Sequence, residues 1–322
     1  MDEKALHGAV EKAVEVLKQG GLVALPTETV YGLAADALNS EAVAKVFAAK
    51  ARPHKHPLIV HLGSMEELSQ WAHNIPELAW KLAKQFWPGP LTLLLQRRPE
   101  VPEAIVGGQK TIALRIPSHP VALAVLKAFK SGVVAPSANS FGHLSPTLAE
   151  HVRQGLKEKV DWVLDGGPCC IGIESTIVDL SRERPSIARP GGLSAEALAQ
   201  VLGFLPERGI NAQPVPGSAH AHYAPQTRLV LAKPEALESC ATQLCAEGKR
   251  VAVLHPQKMA LPENAQWVCI PEDLPQLAHR LYAVLHELDK QRFDVLLTSL
   301  PQADGLGSAL CDRLVRAANA SL

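Results

Sequence analysis

Apolar strand-like runs alternate with helical patterns along most of the chain, and this alternation is the feature that most constrains its fold. The predicted strands are LVALPT (22–27), LIVHL (58–62), LTLLLQ (91–96), TIALRIP (111–117), VVAPSAN (133–139), VDWVLDG (160–166), STIVDLS (175–181) and SIARPG (186–191). Between them, Ser40, Ser64 and Ser194 each stand directly before a helical pattern, where a serine side chain can cap a helix. The pattern predicts one α/β domain with a mixed sheet.

A proline-rich segment then interrupts this pattern. Residues 204–227 contain four prolines and show no periodicity, which is typical of a linker. Strands and helices alternate again after it and end in a predicted helix, GSALCDRLVRAAN, which predicts a small parallel, Rossmann-like domain. The predicted organisation is therefore a first domain at 1–205, a linker at 206–226 and a second domain at 227–322.

The charge balance excludes a strong global attraction to nucleic acid or to anionic membranes, because Lys plus Arg and Asp plus Glu both number 32. Any anion site must then be local. With 47% hydrophobic residues over 322 positions, the chain can bury a substantial core. The N-terminal segment lacks the apolar region of a signal peptide, and no apolar run reaches the roughly 18 residues of a membrane span. We expect a soluble cytoplasmic protein with no membrane partner.

The sequence carries none of the common metal or nucleotide motifs. Its six cysteines form no CxxC pair, and its thirteen histidines form no HExxH, so we expect reduced thiols and no metal ligands. It has neither GxxxxGK[ST] nor a GxGxxG following a strand. If the chain handles ATP, it does so without either fingerprint.

Polar residues recur where the predicted strands of the first domain end, and such ends line the ligand crevice of α/β sheets. They are Thr27, Thr29, His61, Thr111, Arg115, Ser137, Asn139, Ser175, Thr176 and Arg189. For any one of them a capping or turn role is the more common explanation. As an ensemble they predict a binding site.

The segment KARPHKH at 50–56 predicts where an anion would bind. Lys50 and Arg52 stand at the end of a predicted helix, and Pro53 and Pro57 stiffen the loop that follows. A phosphate site without a P-loop needs such cations together with hydroxyls and backbone amides, and the SAN segment at 137–139 can supply hydroxyls. No Ser/His/Asp set or carboxylate pair for hydrolysis is apparent.

Seven motifs in this order resemble those of the YrdC-like family: PTETVYGLAADA, KARPHKHPLIVH, WPGPLTLLL, TIALRIPSHP, APSANSFGHLSPT, DGGPCCIGIESTIVDL and ARPGGLS. The HYAP segment and GLGSALCDRLVRAA resemble the long, two-domain form of that family. The similarity covers essentially the whole chain. It implies a twisted mixed sheet with a concave basic site, followed by the Rossmann-like domain.

The resemblance also implies an activity. Enzymes of this form are nucleotidyltransferases that condense L-threonine, bicarbonate or CO2 and ATP into threonylcarbamoyl-AMP and pyrophosphate, the first step of a tRNA modification. The implied partners are these substrates, the downstream tRNA threonylcarbamoyltransferase machinery and, as a further candidate, tRNA. Mg²⁺ is expected with ATP, and no protein metal site is expected.

Residue roles follow from the same resemblance. L-Threonine would contact Thr29, His61, Arg115, the backbone of Ala135, and Ser175. ATP would contact Arg52, His56, Thr111, Ser137, Ser145 and Arg189, with Tyr223 of the linker closing over the nucleotide. Lys50 and Arg52 would act on the phosphates as the catalytic cations. His56 stands where relatives often have Asn, which would make this nucleotide contact sensitive to pH.

Two alternatives remain open from the sequence. A non-catalytic RNA-binding protein could use the basic surface of KARPHKH and of QRR at 96–98, although the neutral net charge and 4% aromatic residues argue against it. The second alternative is an enzyme of carbamoyl transfer in metal-centre maturation. The absence of zinc-finger cysteines from this sequence argues against it. Which group deprotonates the threonine amine is also open.

Overall fold

The computed structural model describes residues 3–208, 214–217 and 221–319. They divide into two compact units, which are described separately below. Unit 1 comprises the chain up to Phe141 and Ser145–Ser218, and unit 2 comprises Gly142–Leu144 and the chain from Ala219 onward. The predicted linker lies partly outside the described residues, at 209–213 and 218–220.

Unit 1 contains nine strands and eight α-helices within the described residues. The strands are β1 (Val23–Leu25), β2 (Gly32–Asp36), β3 (Ile59–His61), β4 (Leu91–Gln96), β5 (Thr111–Arg115), β6 (Val133–Val134), β7 (Trp162–Val163), β8 (Thr176–Asp179) and β9 (Ser186–Arg189). The helices are α1 (Glu3–Lys18), α2 (Ser40–Lys50), α3 (Leu68–Trp71), α4 (Glu77–Phe86), α5 (Glu103–Val106), α6 (Pro120–Phe129), α7 (Ala149–Leu156) and α8 (Ala195–Leu202).

These strands form one sheet in the order β7-β1-β2-β6-β3-β5-β4-β8-β9. The pairs β3–β5 and β4–β8 are parallel, whereas β4–β5, β3–β6 and β8–β9 are antiparallel. The prediction of an α/β domain with a mixed sheet is confirmed.

One face of this sheet is covered by the main core, which includes Leu33, Val60, Leu93, Leu114 and Val178. Because side chains alternate along a strand, the residues between these point to the opposite face. On that opposite face, helices α1 and α6 cover β1, β2 and β6 through a second cluster that includes Leu17, Val23, Ala34, Val125 and Val133. The part of the face formed by β3, β5, β4, β8 and β9 lies outside this second cluster.

Local capping explains some of the element boundaries. Helix α8 begins after Ser194, whose hydroxyl accepts a hydrogen bond from the Ala197 amide at 3.2 Å, as the sequence predicts. Helix α2 already includes Ser40, because the side chain of Asn39 accepts hydrogen bonds from the amides of Glu41 and Ala42. Asparagine is as good a cap as serine, so the helix begins one residue earlier than expected.

Unit 2 contains a smaller, wholly parallel sheet. Its strands are β10 (Arg228–Leu231), β11 (Val251–His255), β12 (Ala265–Cys269) and β13 (Val295–Thr298), in the order β10-β13-β11-β12. Its helices are α9 (Leu237–Ala246), α10 (Leu274–Asp289) and α11 (Gly307–Asn319). The predicted parallel α/β architecture is confirmed. Among the described residues of either unit, no helix is long and apolar enough to span a membrane.

Candidate active site

The half of the sheet face that α1 and α6 leave uncovered carries the predicted site. Ile59 pairs with Ala113, and Ala113 pairs with Leu94, so these apolar side chains lie side by side on it. Ile177 joins the same cluster. By the two-residue period of strands, the same face carries the predicted residues His61, Thr111 and Arg115. Arg189 joins them because it pairs with Ile177 at a register shift between β8 and β9. The apolar cluster therefore forms a floor with polar residues around it.

Arg115, the last residue of β5, is held by three oxygen acceptors. Its Nη2 donates to Glu28 Oε1 at 2.6 Å, and its Nη1 donates to Thr29 Oγ1 at 2.9 Å. Its Nε donates to the carbonyl oxygen of Gly89, in the WPGP motif, at 3.2 Å. The side chains of Arg115 and Glu28 are only 5% and 4% exposed. The structure thus brings the predicted residues Thr29 and Arg115 together and supplies Glu28 as a buried counter-charge.

His61 ends β3 directly beside Arg115, since the two residues pair in the parallel register of β3 and β5. Burial, and then the charge of Arg115, lower the pKa of His61 to about 3, so the ring is neutral at pH 7. Its Nδ1 is buried and has no hydrogen-bond partner among the described residues. A buried polar nitrogen without a partner costs about 1 to 3 kcal/mol, and a bound ligand could remove that cost.

Lys50 ties the end of α2 to the SAN segment. Its Nζ donates to the carbonyl oxygens of Ser137 and Asn139, the latter at 2.6 Å, and lies 3.4 Å from Asn139 Oδ1. Burial, and then the neighbouring Arg52, lower the pKa of Lys50, whereas these oxygen acceptors favour its charged form. The predicted residues Lys50 and Ser137 are in direct contact.

Arg52 and His56 meet at the ring of Phe141. The Arg52 guanidinium lies over this ring, 5.5 Å from its centroid, and the His56 ring contacts it edge-on at 5.1 Å. Arg52 Nη2 also donates to the carbonyl oxygen of Pro57 at 3.0 Å, so the proline-bounded loop is fastened to the cation. Burial, and then Arg52, lower the pKa of His56, which places its titration below the usual range for histidine.

Ser175 and Arg189 form a further group, at the β8 and β9 edge. Arg189 Nη2 donates to the carbonyl oxygen of Ser175 at 2.8 Å and to its hydroxyl at 3.1 Å. The Ser175 hydroxyl also lies 2.8 Å from the hydroxyl of Thr92. Arg189 Nη1 donates to the carbonyl oxygen of Pro216 at 2.8 Å.

The remaining predicted residues of unit 1 lie beside these groups. Ser145 donates to Glu174 Oε1 at 2.5 Å, and Glu174 directly precedes Ser175. Thr111 donates to the side chain of Gln109 at 3.3 Å. The Ala135 amide donates to the carbonyl oxygen of Ile59 at 3.1 Å, so its carbonyl would have to make the predicted backbone contact to threonine.

A short part of the linker packs onto the floor of the site. The sequence predicts the linker, 206–226, as a lid that acts through Tyr223, and does not predict this contact. Val215 is 1% exposed and belongs to the cluster of Ile59, Leu94, Ala113 and Ile177. The neighbouring carbonyl of Pro214 accepts a hydrogen bond from Gln109 at 2.7 Å. A single β-branched residue between two prolines was the available signal in the sequence.

Tyr223, the predicted nucleotide contact of the linker, belongs to unit 2. Its ring lies 4.2 Å from that of His222 and stacks on Tyr282 at 6.2 Å between centroids. The Arg313 guanidinium lies over the same ring at 4.9 Å. Tyr223 has a positive φ of 64°, an uncommon conformation for a side chain of this size. Its contact with ATP stays a prediction.

The residues present do not form a cage for a metal ion. Among the described residues, no group of three or more His, Cys, Asp or Glu side chains could hold one. Of the nearby carboxylates, Glu28 accepts from Arg115 and from the Ser118 amide, and Glu174 accepts from Ser145. Phosphate oxygens commonly hold Mg²⁺ in nucleotide sites, and its presence here stays a prediction.

Two family models together match nearly the whole chain. The model of the Sua5, YciO and YrdC proteins, described as "Telomere recombination", matches residues 15–191. The model described as "Threonylcarbamoyl-AMP synthase, C-terminal domain" matches residues 193–319.

Individual relatives agree with these models. The threonylcarbamoyl-AMP synthase of Pyrococcus abyssi is 37% identical over 98% of this chain and 95% of its own length. That of Bacillus subtilis is 37% identical over 96% and 92%. The crystal structure of P. abyssi Sua5 complexed with L-threonine, 37% identical, superposes with a TM-score of 0.90 over 97% of this chain and 94% of that one. The chain therefore belongs to the threonylcarbamoyl-AMP synthase family of enzymes, in the form that carries both the YrdC-like domain and the C-terminal domain.

Proposed function

We propose that this chain condenses L-threonine, bicarbonate or CO2 and ATP into threonylcarbamoyl-AMP and pyrophosphate on the uncovered face of the unit 1 sheet. One observation supports placing the reaction on this face of the sheet. His61 and Arg115 end adjacent parallel strands side by side, one neutral with an unpartnered nitrogen and the other a buried cation. An amino acid with a hydroxyl side chain offers matching groups to both.

Threonine would bind at this pair. Glu28, Thr29 and Gly89 each accept one of the five N–H groups of Arg115, so its fork retains donors for the substrate carboxylate. The neutral ring of His61 would exchange a hydrogen bond with the threonine hydroxyl through Nδ1. Ser175 and the carbonyl of Ala135 would complete the amino-acid end.

ATP would bind along the groups built from α2 and the SAN segment. Arg52 and Lys50 would face the phosphates, together with Ser137, Ser145, Thr111 and Arg189, and Tyr223 would close over the nucleotide. The rings of His56 and Phe141 beside Arg52 offer a surface for stacking. With its lowered pKa, His56 would contact the nucleotide as a neutral ring at pH 7.

The chemistry then needs positioning and charge stabilisation more than a strong acid or base. The neutral threonine amine adds to bicarbonate or CO2 to form a carbamate anion. With bicarbonate a water molecule leaves, and with CO2 the nitrogen releases a proton to solvent. A carbamate oxygen attacks the α-phosphorus, the bond from this phosphorus to the bridging oxygen breaks, and pyrophosphate leaves with the electron pair. Mg²⁺ bound to ATP supplies neutralisation of the triphosphate charge. The Arg52 guanidinium would hold the reacting oxygens in line, and the Lys50 ammonium, which donates to the SAN segment, would add positive charge beside them.

The product is a mixed anhydride of a carbamate and a phosphate, so it suits a downstream transferase that moves the threonylcarbamoyl group to tRNA. We propose that machinery as the partner, with tRNA as a further candidate.

The test is pyrophosphate release from ATP, Mg²⁺ and bicarbonate with each amino acid in turn. Threonine should support release. Serine lacks the methyl contact, which is worth about 1 kcal/mol or slightly more, so it should be a poor substrate but still show some release. Equal release with serine or with no amino acid would exclude threonine as the substrate. RNA binding that depends on salt, without any ATP consumption, would favour the RNA-binding alternative instead.

A further inference from the structure

The parallel sheet of unit 2 has a switch point that the proposed reaction does not use. Strands β11 and β13 are neighbours in the order β10-β13-β11-β12. The chain leaves β11 toward β12 on one side, and it leaves β13 into α11, which packs against β10 on the other side. Where the connections from two adjacent parallel strands diverge, a crevice opens at their carboxyl ends, and ligands of α/β proteins bind in such crevices.

A cavity of about 310 Å³ lies at these strand ends. This volume is at the small end of the range for ligand pockets, so it suits a compact molecule and excludes a dinucleotide. Its walls are mostly apolar and come from β11, the β12 loop, α10 and α11, for example Leu254, Ile270, Leu277, Leu281 and Leu314. Two such walls can enclose a flat ring.

The polar groups of the cavity are hydroxyls, carboxylates, the amide of Gln302 and the imidazole of His255, whose Nδ1 accepts a hydrogen bond from the Gln257 amide. Thr298 and Ser299 stand at the end of β13, and Glu272 and Asp304 stand in the loops after β12 and β13. No lysine or arginine is among its lining residues. Carboxylates without a cation repel a phosphate, but they accept hydrogen bonds from sugar hydroxyls and from exocyclic amino groups.

The loop that leads into α11 has only part of the dinucleotide-binding fingerprint. Gly305 and Gly307 match the first two glycines of GxGxxG, but Leu310 stands where the third would be. A Cβ atom built on Gly307 would lie 1.7 Å from the carbonyl oxygen of Gln302, so this glycine serves a close contact within the turn. The loop is therefore a tight turn that positions Gln302 and Asp304 at the rim of the cavity.

We propose that this crevice of unit 2 binds an unphosphorylated nucleoside, at a site separate from the proposed catalytic residues. The base lies between the apolar walls. Each of the four bases has a flat aromatic face that can pack against these side chains. The ribose hydroxyls donate to Asp304 and Glu272. The hydroxyls of Thr298 and Ser299 and the amide of Gln302 contact the edge of the base.

The experiment measures binding of adenosine, guanosine, cytidine and uridine to the full chain by saturation-transfer NMR and calorimetry. Ser299→Leu places a larger side chain in the crevice, and Ser239→Leu makes the same change at an exposed position outside it. Arg52→Ala reports on unit 1, because it removes the guanidinium that lies over the Phe141 ring, the surface proposed there for stacking of the base. We expect at least one nucleoside to bind, with its affinity about 10-fold or more weaker in Ser299→Leu and unchanged in Ser239→Leu and Arg52→Ala.

Asp304→Asn tests the carboxylate at an exposed position that does not depend on core packing, so it remains informative if Ser299→Leu fails to fold. Asp304→Asn should weaken nucleoside binding. With the natural chain, the corresponding 5′-monophosphate should bind at least about 10-fold more weakly than the nucleoside. The proposal is overturned if no nucleoside binds at about 1 mM, if monophosphates bind equally well, or if Arg52→Ala abolishes binding while Ser299→Leu retains it. None of these outcomes depends on pyrophosphate release.

Discussion

At the scale of single residues, substitutions of Arg115 and of Arg52 are expected to weaken the binding of different substrates. Arg52→Ala should chiefly weaken ATP binding, and Arg115→Ala should chiefly weaken threonine binding, each by roughly 1.5 to 3 kcal/mol for a charge-assisted contact. Calorimetric titration of each ligand measures both. Arg98→Ala, at a side chain that is 43% exposed, is the matched control and should leave both affinities unchanged.

Arg115→Ala also leaves Glu28 buried without its counter-charge, which destabilises the fold. Arg115→Lys keeps the charge and loses the planar fork, so it should weaken threonine binding without this loss of stability. If Arg52→Ala weakened threonine binding and Arg115→Ala weakened ATP binding, the two ends of the proposed site would be interchanged.

The buried neutral ring of His61 predicts a dependence of stability on pH. The unfolded chain binds a proton on this histidine below about pH 6.5, whereas the folded chain binds it only near pH 3. Unfolding therefore takes up a proton between these values. The contribution to stability is complete above pH 6.5 and falls by about 1.4 kcal/mol per unit as the pH decreases toward 3.

Urea unfolding of His61→Gln should accordingly show a smaller loss of stability between pH 6.5 and pH 4 than unfolding of the natural chain. Exposed His7→Gln is the control and should lose stability as the natural chain does. Identical slopes in all three chains would mean that His61 is protonated in the folded protein.

The sequence predicts which residues stand at strand ends, but it does not predict which of them touch. Glu28 and Arg115 are 87 positions apart, and only the β-sheet brings the PTET loop and the end of β5 together. The carboxylate looked isolated in the sequence, because its partner is set by strand order. The same holds for Lys50 and the SAN segment, which are also 87 and 89 positions apart.

At the scale of elements, strands rich in large apolar residues were predicted well. LTLLLQ at 91–96 is β4 over its full length, and GSALCDRLVRAAN is α11 over its full length. Strand β2 was missed, because GLAAD contains only one large apolar residue and its small side chains fit beneath helices. VVAPSAN forms only the two-residue strand β6, since the following proline ends regular pairing.

The linker segment 214–217 provides a prediction at this scale. If it orders over the bound substrates, then ATP with threonine should slow hydrogen exchange at the amides of Val215 and Gly217. Val215→Asp removes the packing on Ile59, Leu94 and Ala113, so it should speed this exchange and lower pyrophosphate release severalfold. Leu205→Asp, at a side chain that is 59% exposed, is the control. Exchange that is equally fast with and without ligands would exclude a lid role.

At the scale of the whole molecule, the two units predict the outcome of truncation. The buried members of both large cores of unit 1 end at Leu202, so a chain of residues 1–205 should fold. A chain of residues 1–217 additionally keeps Val215 and the carbonyl of Pro216 that accepts from Arg189.

We expect 1–205 to lose most of its pyrophosphate release, and 1–217 to bind threonine more tightly than 1–205. Circular dichroism would establish folding, and calorimetry would compare affinities. Undiminished activity of 1–205 would assign the linker and unit 2 to a role in partner binding alone.

The buried Glu28–Arg115 pair has a consequence for the environment in which the protein works. Because the guanidinium is already neutralised, the amino-acid end of the site presents no net positive charge before a substrate arrives. Inorganic phosphate, chloride and free dicarboxylic acids bind readily to an uncompensated buried cation. They gain little binding free energy from one that is already paired with a carboxylate. We therefore expect a ligand to need a hydroxyl that reaches His61 in order to bind here in preference to these ions, as the proposed substrate threonine would.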